Sequence, residues 1–282
     1  MSYMARIVVG VLALCLSATP GLAQKAKNKS SKAKRTPAAK AIKVNVAQER
    51  SALFADDAKA AAAAAAKLGR TNQAGALDAL LDALSMGLDP SVSTAALDGL
   101  AWHAKPASFD VLEYYLDYRN ARVRAAAVAA VGSLDDSRAV TAVLAALTDN
   151  DDTVRAAAAK VIGDRGIKTG IEPLLELLKK GDEASGDALA ALATPDLAKE
   201  VGELIGVAPN AQLSRCLGAI LMRPGFKPEE ARVEVVRALG KVPGNEALEQ
   251  LTTYVASVPE NPPRQSRREA EAIVEARLTG GD

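Results

Sequence analysis

A histidine can move a proton near neutral pH, and this chain of 282 residues has one, His103, in the stretch LAWHAKP. No nucleophile elbow or other local catalytic motif accompanies it. His103 therefore reads as a surface residue near a helix C-terminus, where its cationic form is mildly favoured. Of the two cysteines, Cys15 and Cys216, the second lies among Leu213, Leu217 and Ile220 at helical spacing, as a small buried thiol does. One histidine and one late cysteine exclude the common His/Cys metal clusters. Carboxylates gather at Asp135-Asp136, at Asp149 with Asp151-Asp152, and at Glu229-Glu230. These are turns and helix starts, where an acidic side chain caps free amides. The run DNDD at 149–152 lacks the glycine and distal glutamate of a calcium-binding EF-hand loop. No glycine-rich phosphate loop is present. No catalytic residue, metal or cofactor is expected.

Aromatic residues carry a sharper signal. Trp102, Phe109, Tyr114, Tyr115 and Tyr118 fall within 17 positions. On a helical wheel Phe109, Leu112 and Leu116 form an apolar stripe, and Val111, Tyr114 and Tyr118 lie on the opposite side. Tyrosines turned away from their own core suit an interface, with large contact area, little entropy lost and a polar tip. Val111, Tyr114, Tyr118 and Tyr115 are the expected partner-binding residues. Packing of Tyr115 and Tyr118 on a neighbouring helix is the competing reading.

The amino terminus is of another kind. Arg6, an apolar run from Ile7 to Ala18, and Gly21-Leu22-Ala23 give residues 1–23 the anatomy of a secretory signal peptide. Leu14 stands where a lipoprotein signal carries a small residue, so anchoring through Cys15 is not expected. A cleaved chain would keep Cys216 alone and form no intramolecular disulfide. Residues 24–43 form a Lys-rich arm expected to be disordered, with eight positive charges and no acidic residue. From Val44 onward 34 acidic residues face 26 basic ones, a formal charge near −8. Lys25, Lys27, Lys29, Lys32, Lys34 and Arg35 are candidates for contact with an anionic envelope surface or polymer. A solvated spacer is the plainest reading of the arm, and folding back on its own acidic body is a further one. Without aromatic residues among the lysines, and with an acidic body, nucleic acid is not an expected partner.

These elements sit on an internal repeat. Shifting DDTVRAAAAKVIG at 151–163 back by 31 residues aligns Val154 with Val123, Arg155 with Arg124 and Gly163 with Gly132. The triplet Phe109, Leu112, Leu116 recurs as Val140, Val143, Leu147 and as Ile171, Leu174, Leu178. Leu77, Leu80, Leu84 and Leu248, Leu251, Val255 repeat it, each behind a glycine, Gly69 or Gly240. Each unit reads as an Ala-rich first helix closed by a glycine in the left-handed conformation, a polar turn, and a second helix with an apolar stripe. No strand-like alternation follows the amino terminus. Two short amphipathic helices cannot cover their own apolar faces, so units must stack.

These residues resemble HEAT repeats, in particular the short bacterial kind named after phycobilisome lyases. The resemblance rests on the D-x-V-R lead-in (Asp152, Val154, Arg155), the Ala-rich helix ending in glycine, and the leucine-type second helix followed by Asp149. It implies an all-α fold, an α-solenoid of about six or seven antiparallel helix pairs over residues 44–282. It also implies an Asp–Arg ladder through Arg124 and Arg155, and a concave groove lined by the second helices. At 182–225, where Ser185-Gly186 replaces Val-Arg, a distorted unit is expected.

The expected function is an exported, non-enzymatic scaffold presenting that groove to a protein or peptide. The resemblance also extends to bilin lyases, so a tetrapyrrole lyase-like enzyme or enzyme subunit is the alternative. A structural envelope component using its basic arm is a third.

Overall fold

Helix starts explain most of the acidic turns. Asp57, Asp89, Asp136 and Asp151 each accept the amide two residues on, and Asp182 accepts from Ser185 N. Asn45 and Asn120 cap in the same way. Each such cap stabilises its helix by about 1 kcal/mol. In the computed structural model the described residues are 40–262 and 264–279. The signal-peptide reading at 1–23, Cys15, and the arm residues Lys25, Lys27, Lys29, Lys32, Lys34 and Arg35 lie outside them.

Among the described residues there are fifteen α-helices, two short 3₁₀ turns and no strand. They are α1 (Val46–Ala52), α2 (Ala58–Leu68), α3 (Ala76–Met86), α4 (Pro90–His103), α5 (Phe109–Leu116), α6 (Ala121–Ser133), α7 (Ser137–Ala146) and α8 (Asp152–Arg165). There follow α9 (Ile171–Lys179), α10 (Glu183–Leu192), α11 (Pro195–Gly202), α12 (Asn210–Met222), α13 (Glu229–Lys241), α14 (Asn245–Ser257) and α15 (Gln265–Thr279). Short turns reverse the chain at each step, so alternate helices run parallel in two rows. The fold is an α-solenoid of stacked helix pairs.

The rows differ in spacing. Each of α2, α4, α6, α8, α10 and α12 packs broadly on the next in its row, which ends at α14, whereas α1, α3, α5 and α7 touch one another lightly. Alanine and glycine set the difference. A Cβ on Gly99 would lie 2.8 Å from the Gly69 Cα, and one on Gly163 would lie 3.2 Å from the Ala188 Cα. A Cβ on Gly132 would meet Val161 at 2.5 Å, and one on Gly186 would meet the Cys216 Cβ at 3.2 Å. This corrects the expectation that the repeated glycines end helices in the left-handed conformation. Gly132, Gly163 and Gly240 lie inside α6, α8 and α13, and Gly69 caps α2 at a right-handed φ of −66°. Their role is close approach between helices.

Leu80, Leu112, Val143 and Leu174 of the second helices fill the space between the rows and are fully buried. In α5 the stripe turns by one position. Phe109, Leu112 and Tyr115 are buried, and Leu116 only partly.

Two polar ladders tie successive units. Arg124 donates from Nε and Nη2 to the Asp149 carboxylate, both at 2.8 Å, and from Nη1 to Tyr118 O at 2.9 Å. One unit on, Arg155 donates to Asp182 at 3.0 Å and to Asp149 O at 3.0 Å. The second ladder has no counterpart in the repeat pattern read from the sequence. Arg165 donates to Gly132 O at 3.1 Å, Arg223 to Ala193 O at 2.8 Å, and Arg277 to Gly240 O at 2.7 Å. Each cation satisfies carbonyls left free near the end of an earlier helix. His103 makes a similar contact, its Nε2 lying 3.2 Å from Leu68 O.

The segment 182–225 holds α10, α11 and α12, an odd number of helices. The Val-Arg type helix RVEVVRALG is consequently α13, in the row of second helices. It packs closely on α15, where a Cβ on Gly240 would meet Ile273 at 2.9 Å. At this end both rows are close-packed.

Candidate partner-binding surface

The aromatic cluster is built on α5 and its neighbours. Tyr115 is 2% exposed, and its hydroxyl donates to Leu84 O of α3 at 2.7 Å. Burial pushes its phenol pKa up. Its assignment as a partner-binding residue is therefore corrected: in the intact fold Tyr115 is core, joining two units. It also anchors its neighbours. Tyr118 stacks on it at 5.4 Å between ring centroids, and Tyr114 meets it edge-on at 5.3 Å. Tyr114 is 69% exposed, Tyr118 half-buried, and Val111 partly buried against the core. Met86, at the end of α3, is 70% exposed. By the spacing of the repeat it is the counterpart of Tyr118. The sequence wheel located Tyr114 and Tyr118 but took no account of Met86, which lies in the preceding unit.

The surroundings are acidic. Asp78 and Asp82 lie on α3, Asp110 and Glu113 on α5, and Asp117 just beyond it, and neither helix contains a lysine or arginine. Arg50 pairs with Asp82 and Arg138 with Asp110, each at 2.8 Å. Asp78, Glu113 and Asp117 have no ion-pair partner among the described residues. From residue 71 to residue 118 seven carboxylates face one base, Lys105.

Tyr114 stands on the more widely spaced row, that of the second helices. The close row carries a cleft of about 530 Å³ between α8, α10 and α12, bordered by Asp152, Glu183, Asp187 and Arg215. Gly186 and Cys216 line it as well. The Cys216 thiol is buried and pushed up to about 12 by desolvation, far from a thiolate at neutral pH.

The carboxylates considered for chemistry are engaged in structure. Asp151 and Asp136 are held below the ordinary carboxylate range by bonds from Thr153 and Arg138, and Asp149 by Arg124. Among the described residues no group of three His, Cys, Asp or Glu could hold a metal ion, and no helix is long and apolar enough to cross a membrane.

Paired helices stacked in two rows, with an exposed tyrosine platform on one of them, define a helical-repeat scaffold. Residues 113–193 match the family model for HEAT repeats, and this span is HEAT-repeat sequence. No curated protein matches the chain. Among solved structures, the chain is similar to the complex of CpcE and CpcF of phycocyanin lyase from Nostoc sp. PCC7120. That match has 18% identity and a TM-score of 0.44, and covers 86% of this chain and 98% of the other. An engineered protein is similar at 18% identity and a TM-score of 0.36, covering 83% of this chain and 100% of its own. A further engineered protein has 19% identity and a TM-score of 0.39, with 84% and 79% covered.

Proposed function

We propose that this chain is an exported, non-enzymatic scaffold that binds a protein or peptide partner through the tyrosine platform of α5. The observation that carries this reading is the exposure of Tyr114 beside Tyr118, both seated on the buried and hydrogen-bonded Tyr115. Rigid aromatic side chains fixed before binding lose little entropy when a partner covers them. Export rests on the charged start, short apolar run and small-residue ending of the first 23 residues. The non-enzymatic reading rests on the roles already taken by His103, Cys216 and the turn carboxylates.

Tyr114→Ala tests the platform without opening the core. The variant should fold with unchanged helical circular dichroism and lose most of the partner captured by crosslinking from the native cell envelope. Equal capture by wild type and variant would end the proposal that Tyr114 binds the partner.

A further inference from the structure

The molecule itself shows how this surface holds a cation. Arg138 of α7 lies over the Phe109 ring, 4.0 Å from its centroid, and donates to Asp110 of α5 and to Asp136, both at 2.8 Å. The aromatic face carries the guanidinium while carboxylates take its N–H groups. One turn further along α5 the same pieces recur. Asp110, Glu113, Tyr114 and Asp117 are exposed, and their helical spacing brings them to one side of α5. Tyr114 is 69% exposed and crosses Tyr115 at 87°, so a ring face is open. Here α7 supplies no base, since Thr141 and Ala142 stand one turn beyond Arg138. Arg124 feels the charge of Asp117 but commits its guanidinium to Asp149 and to Tyr118 O. Arg119, the next base along the chain, forms no ion pair among the described residues.

This turn also repels itself. Glu113 and Asp117 are like charges one helical turn apart. Both lie at the C-terminal end of α5, where the helix dipole is negative and the last turn has no base. A cation placed between them relieves both conflicts. We infer that the partner of the platform is a basic protein segment that presents arginine, its guanidinium lying on the Tyr114 ring and pairing with Glu113 and Asp117, as Arg138 does on Phe109 and Asp110. The inference rests on the platform reading above and adds the chemistry that the platform selects. Arginine fits better than lysine, whose compact ammonium is neither planar nor bidentate. Exposed Met86, at the corresponding end of α3, offers apolar area to the residues beside that arginine.

Fluorescence anisotropy of a labelled peptide of alternating arginine and serine, titrated with the full chain, tests this. Tyr114→Ala and Glu113→Gln/Asp117→Asn should each weaken binding several-fold, with helical circular dichroism unchanged. Glu246→Gln/Glu249→Gln removes the same charge from exposed positions of α14 and should leave binding as it is. A lysine–serine peptide should bind several-fold more weakly than the arginine peptide. No binding of the arginine peptide, equal losses in the two double variants, or equal binding of the two peptides would each overturn the inference. The same variants separate it from the platform reading. Capture of the envelope partner that is lost in Tyr114→Ala but intact in Glu113→Gln/Asp117→Asn would keep the platform and remove the arginine. Capture intact in both would remove the two together.

Discussion

The units from α2 to α9 and the end from α11 to α15 solve the same burial problem differently. In the first region one row is close, through Gly69 against Gly99, Gly132 against Val161 and Gly163 against Ala188, and the other row is wide. In the second region α12 packs on α14 and α13 on α15, each pair broadly. Closeness therefore follows the position of glycine and alanine, and not whether a helix comes first or second in its pair. The wide row of the first region leaves α5 free to present Tyr114.

The comparison can be broken most forcefully at its tightest point. A Cβ on Gly69 would overlap the Gly99 backbone, where no side chain can turn aside. Gly69→Ala should cost roughly 2–3 kcal/mol, in the range of core overpacking, and lower the thermal midpoint by several degrees. Gly225→Ala, with nothing within 4 Å of the added carbon, should leave it unchanged. Equal effects would show that the glycines do not set the spacing.

The arginine ladder gives the next effect. Arg124 and Asp149 are 17% and 15% exposed, so their bidentate bond is largely shielded from water. Arg124→Ala should cost about 1.5–3 kcal/mol, as hydrogen bonds to charged groups do. Arg50→Ala, in a pair 53% and 50% exposed, should cost less than about 1 kcal/mol. The same bond sets an acid limit. Arg124 depresses the folded-state pKa of Asp149. The resulting stability is complete above the ordinary carboxylate pKa of about 3.9 and is lost as pH falls through the depressed value. Chemical-denaturation midpoints should thus fall below about pH 4, less steeply in Asp149→Asn.

The smallest effects separate anchor from surface in α5. Tyr115→Phe removes the bond to Leu84 O and should cost about 0.5–1.5 kcal/mol. Tyr114→Ala should change stability by no more than about 0.5 kcal/mol. The reverse order, read by the same melts, would exchange the roles of the two tyrosines.

Much of this was legible in the sequence. The 31-residue shift, the apolar triplets and the acidic turns locate the helices and their caps, because helical period and capping act within a few residues. The glycines were read for the wrong reason, since closeness to another helix leaves no mark on local spacing. Tyr115 escaped for a related reason. Its hydroxyl finds its partner 31 residues away, and a wheel drawn for one helix contains no neighbour. The fall of the Val-Arg type helix α13 in the other row was foreshadowed by the loss of Val-Arg at Ser185-Gly186, but an odd number of helices becomes visible only when they are counted in space.

Native Cys216 offers the most direct test of the stacked rows. The central claim places Gly186 of α10 against Cys216 of α12, where a Cβ on residue 186 would lie 3.2 Å from the Cys216 Cβ, although α11 intervenes in the chain. Disulfides bridge Cβ atoms about 3.5–4.5 Å apart, so a few tenths of an ångström of relaxation would suffice. Gly186→Cys, purified and mildly oxidised, should join residue 186 to Cys216 within one molecule, seen as a linked peptide that reduction separates. Two thiols that both stay free under oxidant in the folded variant would contradict the stacking of α10 on α12.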